Sequence, residues 1–473
     1  MLRHLTRSAL APHPRIFGGL CLFGFALAML LFQPGYLTVD GLFQYLQAQR
    51  VGIHTHIDDW HAPIMAWVWR RIASVSAGTF GMFALQQVLF WTGLTLISWR
   101  VLGPTPLAGL CVLLMAAFPP VLANLAPIWK DIQMGAALLL GVGLLLSAHD
   151  TGSRSALLWA QLPLLYGLML RHNALAALLP LHLWGAAIAL RLAHRPVRRG
   201  AVVLGGVGLL CAHLLVSTAF TAFIIKPQRH NPVQYVMIHD LAALSLAREE
   251  VLLPPYLVDR GIDLKELREG FREDSGDFLV WVHPERILSF EPVDGRALRS
   301  TWLRAILANP GPYAVHRWQV LRSLLAIGRP TVHIPFVTGN LPENVKASQQ
   351  AASLPDFVPS RWNARLMHVL EQLRDGLFFR PWVYVLLALV GGVCAMRLRP
   401  PASTPARAIA ASGLLYMGTY VPFAPTADFR YVWWLVLTVV LLPLLLWRAL
   451  RGASPRPPLP PGPGAASPEP RLP

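Results

Sequence analysis

Residues 132–148 read IQMGAALLLGVGLLLSA, a run of small and apolar side chains that contains no charged residue. The run is close in length to the roughly 20 residues with which an α-helix crosses a bilayer. Its apolar residues do not alternate with polar ones, as they would in a membrane-spanning β-barrel. This stretch therefore predicts a membrane-spanning helix and argues against a barrel.

Similar apolar blocks recur along the 473-residue chain, which is 54% hydrophobic and only 14% charged. A soluble domain is about a quarter charged, so the composition argues against a soluble protein, and it also excludes a disordered chain or a disulfide scaffold. We predict an all-α polytopic membrane protein with about ten transmembrane helices. The predicted spans are residues 16–32, 80–98, 106–118, 132–148, 155–170, 174–190, 201–224, 381–396, 407–423 and 431–447.

The chain carries a formal net charge of +17, which in a soluble protein would suggest nucleic-acid binding. No basic stripe with interleaved aromatic residues is present, so we expect no nucleic-acid partner. Short arginine-rich segments instead fit the positive-inside rule with the N-terminus in the cytoplasm. The preference for Arg over Lys and the abundance of Ala, Leu and Pro are compatible with a high-GC bacterium. We therefore expect a multi-pass protein of the bacterial inner (cytoplasmic) membrane.

This orientation divides the chain into four parts. Residues 1–225 form an N-terminal transmembrane module with a first outer loop at 33–78, and residues 226–379 form an extracytoplasmic loop domain. Residues 380–450 form the C-terminal transmembrane helices. Residues 451–473, rich in Pro, Gly and Ser, read as a disordered cytoplasmic tail.

Ionisable residues gather in five segments on the predicted outer face, most of them at the ends of apolar spans. Such groups are costly near a membrane, so their presence there indicates a functional site. The candidate residues are Asp40, Asp59, His61, Lys130, Asp131, Arg171, His172, Arg430 and Tyr431.

Each candidate also has a plainer interpretation. Asp40 could simply cap the helix that follows it, and Arg171 and Arg430 could contact phospholipid headgroups. His54, His56 and His61 lie near two aspartates and could hold a zinc ion. Six tryptophans fit the aromatic belt of a membrane interface, namely Trp60, Trp67, Trp69, Trp129, Trp433 and Trp434.

The functional interpretation unites these residues. An outward carboxylate can act as a general base or bind a divalent cation, and outward arginines suit a phosphate at the membrane surface. A lipid-linked phosphate would supply both the anion and the membrane location. The pattern therefore favours transfer of a sugar from a polyprenyl-phosphate donor on the outer face.

Asp40 soon after the first span, followed by DWHAPIMAWVW, resembles the first outer loop of the GT-C glycosyltransferases. The likeness is to the bacterial relatives of dolichyl-phosphate-mannose mannosyltransferases, the aminoarabinose transferases and the RgtA/B/C/D-like group. Asp131 in WKD, together with RHNALAALLPL and DFRYVWWL, extends the resemblance. Two positions depart from the pattern: Ala62 replaces a usual proline, and Gly41 stands where many relatives have a second acid.

The resemblance implies a GT-C-like fold with Asp40 as the catalytic base and Asp131 assisting in acceptor or metal binding. It also implies that Asp59 and His61 occupy the place where some relatives bind a metal or the donor phosphate. The expected substrates are a polyprenyl-phosphate sugar and a glycan, glycolipid or protein acceptor, at a membrane-lipid surface. Whether a divalent cation takes part is left open.

Three other functions remain open at this point. An O-antigen polymerase or ligase would share the large outer loop and the arginines. A flippase or transporter would need polar groups near the middle of the membrane and repeated broken helices. A catalytically inactive protein could also retain the same scaffold.

Overall fold

The computed structural model describes residues 11–52, 54–281, 283–328, 343–354 and 357–452. These residues are predominantly helical, and their only β pairing consists of three isolated bridges. The predicted all-α class is therefore confirmed for the described part of the chain. Apart from residues 451 and 452, the predicted tail at 451–473 lies outside it.

The described residues of the N-terminal half of the chain form ten helices. They are α1 (Pro14–Phe32), α2 (Val39–Gln49), α3 (Pro63–Ala73), α4 (Phe80–Leu102), α5 (Pro106–Ala116), α6 (Pro119–Leu125), α7 (Lys130–Thr151), α8 (Arg154–Leu170), α9 (Ala174–Leu192) and α10 (Arg199–Ala219), which continues as a π-helical turn over Phe220–Ile225.

Shorter helices dominate the segment that follows, and apolar helices return near the C-terminus. They are α11 (Gln234–Arg248), α12 (Pro255–Asp259), α13 (Leu264–Gly270), α14 (Asp277–Val280), α15 (Pro284–Ile287), α16 (Pro292–Ala308), α17 (Pro310–Leu324), α18 (Glu343–Ala351), α19 (Arg361–Gln372), α20 (Pro381–Arg397), α21 (Thr404–Gly418), α22 (Tyr420–Phe423) and α23 (Trp433–Leu450), with 3₁₀ turns at Leu377–Phe379 and Phe429–Val432.

Helices occur in all ten segments that the sequence predicts to span the membrane. Among the described residues, however, only six helices are long and apolar enough to cross a bilayer, or seven if the bent pair α5 and α6 counts as one span. Helix α20 is apolar but shorter. These helices are compatible with a multi-pass membrane protein, while the number of ten spans and the orientation stay predictions.

Local sequence explains where the long helices end. Gly152 adopts a left-handed conformation with φ of 68°, which L side chains rarely adopt, and it ends α7. The hydroxyl of Ser153 then accepts a hydrogen bond from the backbone N–H of Ala156 and caps α8. Because only these two residues separate the helices, α7 and α8 fold back against each other.

Helix α7 lies at the centre of the helical bundle. In the most apolar 18-residue stretch of α7, 83% of the residues are buried, against 11% in the corresponding stretch of α10. Helix α7 packs along α4 and α8, and glycine allows the close approach to α4. A Cβ atom on Gly93 of α4 would lie 2.6 Å from the backbone nitrogen of Leu140.

A second hydrophobic cluster lies within the predicted loop domain. Its buried residues run from Tyr235 on α11 to Ala305 on α16. Residues further along, including Val320, Leu324 and Leu370, belong to the main core cluster instead. The boundaries 226–379, like the other domain boundaries, remain predictions.

We expect Gly93→Ala to destabilise the protein. The added methyl group collides with the backbone of α7, and overpacking of this kind costs about 1–3 kcal/mol, more than the helix propensity gained by replacing glycine. Gly208→Ala on α10 is the matched control, because nothing lies within 4 Å of its added Cβ. Thermal unfolding in detergent should show a lower midpoint for Gly93→Ala alone, and equal midpoints for the two variants would contradict this packing.

Candidate functional site

One β-bridge positions the predicted first outer loop against the start of α7. Tyr36 pairs with Pro127, with its backbone N–H bonded to the carbonyl of Ala126 and its carbonyl to the N–H of Ile128. The indole of Trp129 also donates a 2.6 Å hydrogen bond to the hydroxyl of Thr38. These contacts bring the N-terminus of α2 beside the N-terminus of α7.

Asp40 lies in the first turn of α2 but does not cap it, so the capping interpretation is wrong. Thr38 is the cap, since its hydroxyl accepts a hydrogen bond from the N–H of Gly41. The glycine after Asp40 also has a structural reason. A Cβ atom on Gly41 would lie only 3.2 Å from the carbonyl oxygen of Ile128, so a second acidic residue there would crowd the α7 connection.

Asp40 forms an ion pair with an arginine that lies 390 residues further along the chain. Nη1 of Arg430 is 2.7 Å from Oδ2 of Asp40, and Nε of Arg430 is 2.9 Å from Oδ2 of Asp428. The guanidinium also lies over the ring of Trp129, 4.7 Å from its centroid. One arginine therefore bridges two carboxylates while resting on an aromatic face.

Contacts with the predicted loop domain hold the segment that carries Asp428 and Arg430. The backbone N–H of Ala427 donates to the carbonyl of Asp274, in the predicted loop domain. Arg317 on α17 donates a 2.9 Å hydrogen bond to the carbonyl of Ala424 and forms a buried ion pair with Asp240. The loop segment thus helps to fix the position of Arg430.

A second ion pair lies beside the first. Nη2 of Arg171 is 2.7 Å from Oδ1 of Asp131, whose side chain is fully enclosed. Arg171 also donates to the hydroxyl of Tyr420 at 3.2 Å. The ring of Tyr431 joins the two pairs, because its centroid lies 4.8 Å from the guanidinium of Arg171 and 5.3 Å from that of Arg430.

Lys130 and His61 complete the cluster. Nζ of Lys130 lies 3.1 Å from Nδ1 of His61, and because an ammonium group can only donate, the imidazole accepts through Nδ1. Burial, and then the charge of Lys130, lower the pKa of His61 to about 3. His61 is therefore a neutral hydrogen-bond acceptor over the physiological pH range.

Asp40 differs from the other two carboxylates of the cluster in exposure. Its side chain is 28% exposed, against 0% for Asp131 and 7% for Asp428. Burial alone would raise the pKa of Asp40, but the nearby charges of Arg430 and other basic groups hold it well below its usual range. Asp40 is thus ionised and reachable from outside.

We define the ion-pair cluster as the three carboxylates Asp40, Asp131 and Asp428, the three cations Lys130, Arg171 and Arg430, and the neutral His61 and Tyr431. Its formal charges balance. Each of the five segments singled out in the sequence therefore contributes at least one residue to this cluster.

Asp59 and His172 make no hydrogen bond or ion pair with the cluster among the described contacts. A carboxylate oxygen of Asp59 accepts a 2.6 Å hydrogen bond from the backbone N–H of His230. Partial burial, and then the charges of Arg171 and Lys130, lower the pKa of His172. Asp59 thus joins the first outer loop to the chain after α10.

The three histidines proposed as zinc ligands do not meet. His54 packs on the ring of Phe43, His56 shares a hydrogen bond with Thr55, and His61 faces Lys130. Within the described ranges, no group of three or more His, Cys, Asp or Glu side chains has the geometry to hold a metal ion. The zinc hypothesis is therefore wrong for these three residues.

Several tryptophans that the sequence predicts at the membrane interface are buried inside the protein. Trp69, Trp129, Trp433 and Trp434 are at most 4% exposed inside the protein, so they do not form an interfacial belt. Trp129 instead supports Arg430 and Thr38. The sequence feature that could have indicated this role is the position of Trp129 directly before Lys130–Asp131.

Comparison with known proteins gives no relative. No family model, curated protein or solved structure matches this chain. Function must therefore be argued from the cluster itself.

We expect Arg171→Gln to destabilise the protein strongly, by about 3–5 kcal/mol, because it leaves the enclosed charge of Asp131 without its partner. The double variant Asp131→Asn/Arg171→Gln removes both charges and should recover much of the loss. Thermal unfolding of the three proteins measures this. A double variant as unstable as the single one would contradict the pairing.

We also expect His61→Gln to reduce the loss of folding stability that occurs as the pH falls into the acid range. An unfolded histidine takes up a proton below about pH 6.5, whereas folded His61, with a pKa of about 3, does not. Stability must therefore fall as the pH falls from 6.5 towards 3, and glutamine removes this contribution while still accepting from Lys130. His368→Gln, at an exposed position on α19, is the control for unfolding midpoints measured between pH 4 and pH 7.

Proposed function

We propose that this protein is a membrane glycosyltransferase that moves a sugar from a polyprenyl-phosphate donor to an extracytoplasmic acceptor, with Asp40 as the general base. The acceptor is an envelope glycan, a glycolipid or a protein. The proposed class is the GT-C-like enzymes that the first outer loop resembles. The reaction takes place at the outer ends of the spanning helices.

One observation carries the proposal: an ionised, partly exposed carboxylate contacts one of three clustered cations next to apolar helices. A base and an anion site so close together suit a reaction in which a hydroxyl loses a proton while a phosphate leaves. The apolar helices suit a donor that carries its phosphate on a lipid chain.

The chemistry balances within the cluster. Asp40 takes the proton of the acceptor hydroxyl, and the acceptor oxygen forms a bond to the anomeric carbon of the sugar. The bond from that carbon to the phosphate oxygen breaks, and polyprenyl phosphate leaves with one more negative charge. The negative charge lost at Asp40 therefore reappears on the phosphate, close to Arg430.

The other residues have supporting parts in this proposal. Lys130 and Arg171 attract the donor phosphate, and His61 orients Lys130 by accepting its hydrogen bond. Asp131 is fully enclosed, so it acts as a positioning residue that holds Arg171. The ring of Tyr431 contacts both guanidinium groups. No step of the proposed reaction is routed through a divalent cation.

The alternatives differ in what they require. A polymerase or ligase of O-antigen could use the same arginines, but it would not depend on the carboxylate of Asp40. A flippase would use charged residues in the middle of its spans, whereas Asp40, Lys130 and Arg430 all lie at or before the first turn of their helices.

We expect Asp40→Asn to abolish sugar transfer, with a loss of at least about 100-fold, because the amide cannot accept the proton. Asp58→Asn is the matched control, since its carboxylate accepts from Gln47 and lies outside the ion-pair cluster. The measurement is mass spectrometry of envelope glycans and glycolipids in a deletion strain that carries each variant at equal membrane abundance.

The expected result is one missing sugar unit in the deletion strain and in the Asp40→Asn strain, and a restored unit with Asp58→Asn. The mass that is missing identifies the class of sugar. Full restoration by Asp40→Asn would reject the base assignment and favour a polymerase, ligase or flippase.

A further inference from the structure

We infer that Arg430 exchanges partners during the reaction: it is paired with Asp40 in the resting protein and moves to the donor phosphate, so that Asp40 becomes an effective base only when a donor is bound. This inference rests on the proposed function and adds to it an order of events.

The resting geometry blocks the proposed base. Oδ2 of Asp40 is held at 2.7 Å by Nη1 of Arg430, so one carboxylate oxygen is already occupied by a strong charged donor. Such a contact stabilises the ionised form and weakens the carboxylate as a proton acceptor. The resting protein therefore contains the base in an unreactive state.

The support beneath Arg430 suits an exchange of partners. Trp129 and Tyr431 contact the guanidinium through their rings, at 4.7 and 5.3 Å from the centroids. These contacts hold the charged group without using its N–H donors. Trp129 is fixed in turn by its hydrogen bond to Thr38. The guanidinium can thus change its hydrogen-bond acceptor while staying on the same aromatic support.

The neighbouring cations make the exchange favourable. Lys130 contacts a neutral histidine instead of a carboxylate, so its charge is available to an incoming phosphate. A phosphate attracted by Lys130 reaches the same cluster as Arg430 and competes with Asp40 for it. As the sugar leaves, the phosphate gains charge and Asp40 loses it, which moves Arg430 further towards the phosphate.

A double-mutant cycle tests the exchange. Binding of farnesyl monophosphate to the purified full chain would be measured by calorimetry for the wild type, Asp40→Asn, Arg430→Gln and the double variant, with farnesol as the control without phosphate. If Asp40 competes with phosphate for Arg430, Asp40→Asn should bind the probe about tenfold more tightly than the wild type. In the Arg430→Gln background the same change should alter binding by less than about twofold.

The outcomes are distinguishable. No tightening in Asp40→Asn, or equal tightening with and without Arg430, would overturn the exchange and leave the proposed function standing. A wild type that binds farnesyl monophosphate no better than farnesol would reject the proposed function as well. If Asp40→Asn does not fold, Asp40→Ala replaces it in the cycle, because it also removes the carboxylate while Arg430 keeps its contact with Asp428.

Discussion

A buried charge needs a partner, and this constraint determines how the helices meet at the candidate site. The carboxylate of Asp131 is fully enclosed at the start of the central helix α7, where water cannot hydrate it. Arg171, on the connection between α8 and α9, forms the ion pair that balances its charge. The pair therefore ties α7 to that connection, and Tyr431 extends the arrangement to Arg430 and so to Asp40. The chemistry proposed for Asp40 depends on this chain of contacts.

Much of the fold follows from the sequence, because the length and continuity of apolar runs report directly on helices in a membrane. Helices occur at all ten predicted positions, and glycine and serine at 152–153 end one helix and begin the next. Which helices can span alone is harder to predict. Helices α5 and α6 are together long and apolar enough to span, yet the chain bends by 72° between them. The proline pair that begins α6 is the local reason for this bend.

The sequence predicts most of the residues of the candidate site, but it does not predict which of them pair with each other. Charged residues at the ends of apolar runs stand out in any sequence, so Asp40, Asp131, Arg171 and Arg430 could be selected. Their partners are set by contacts between distant segments, and Asp40 and Arg430 are 390 residues apart. A tryptophan near a predicted span is also expected at the membrane interface. Trp129 is instead buried beneath Arg430, and this position depends on the bridge between Tyr36 and Pro127, which no local pattern reveals.

The bridge between Tyr36 and Pro127 has a consequence for how such a chain can vary. The bridge is the point from which both connectors start, one leading from Tyr36 to the first turn of α2 and the other from Pro127 to the first turn of α7. It therefore fixes the number of residues in each connector. Removing one residue between Tyr36 and Asp40 would turn the carboxylate by about 100° around the axis of α2 and away from Arg430. In homologous chains, the lengths of these two connectors should therefore vary less than the identity of the residues within them.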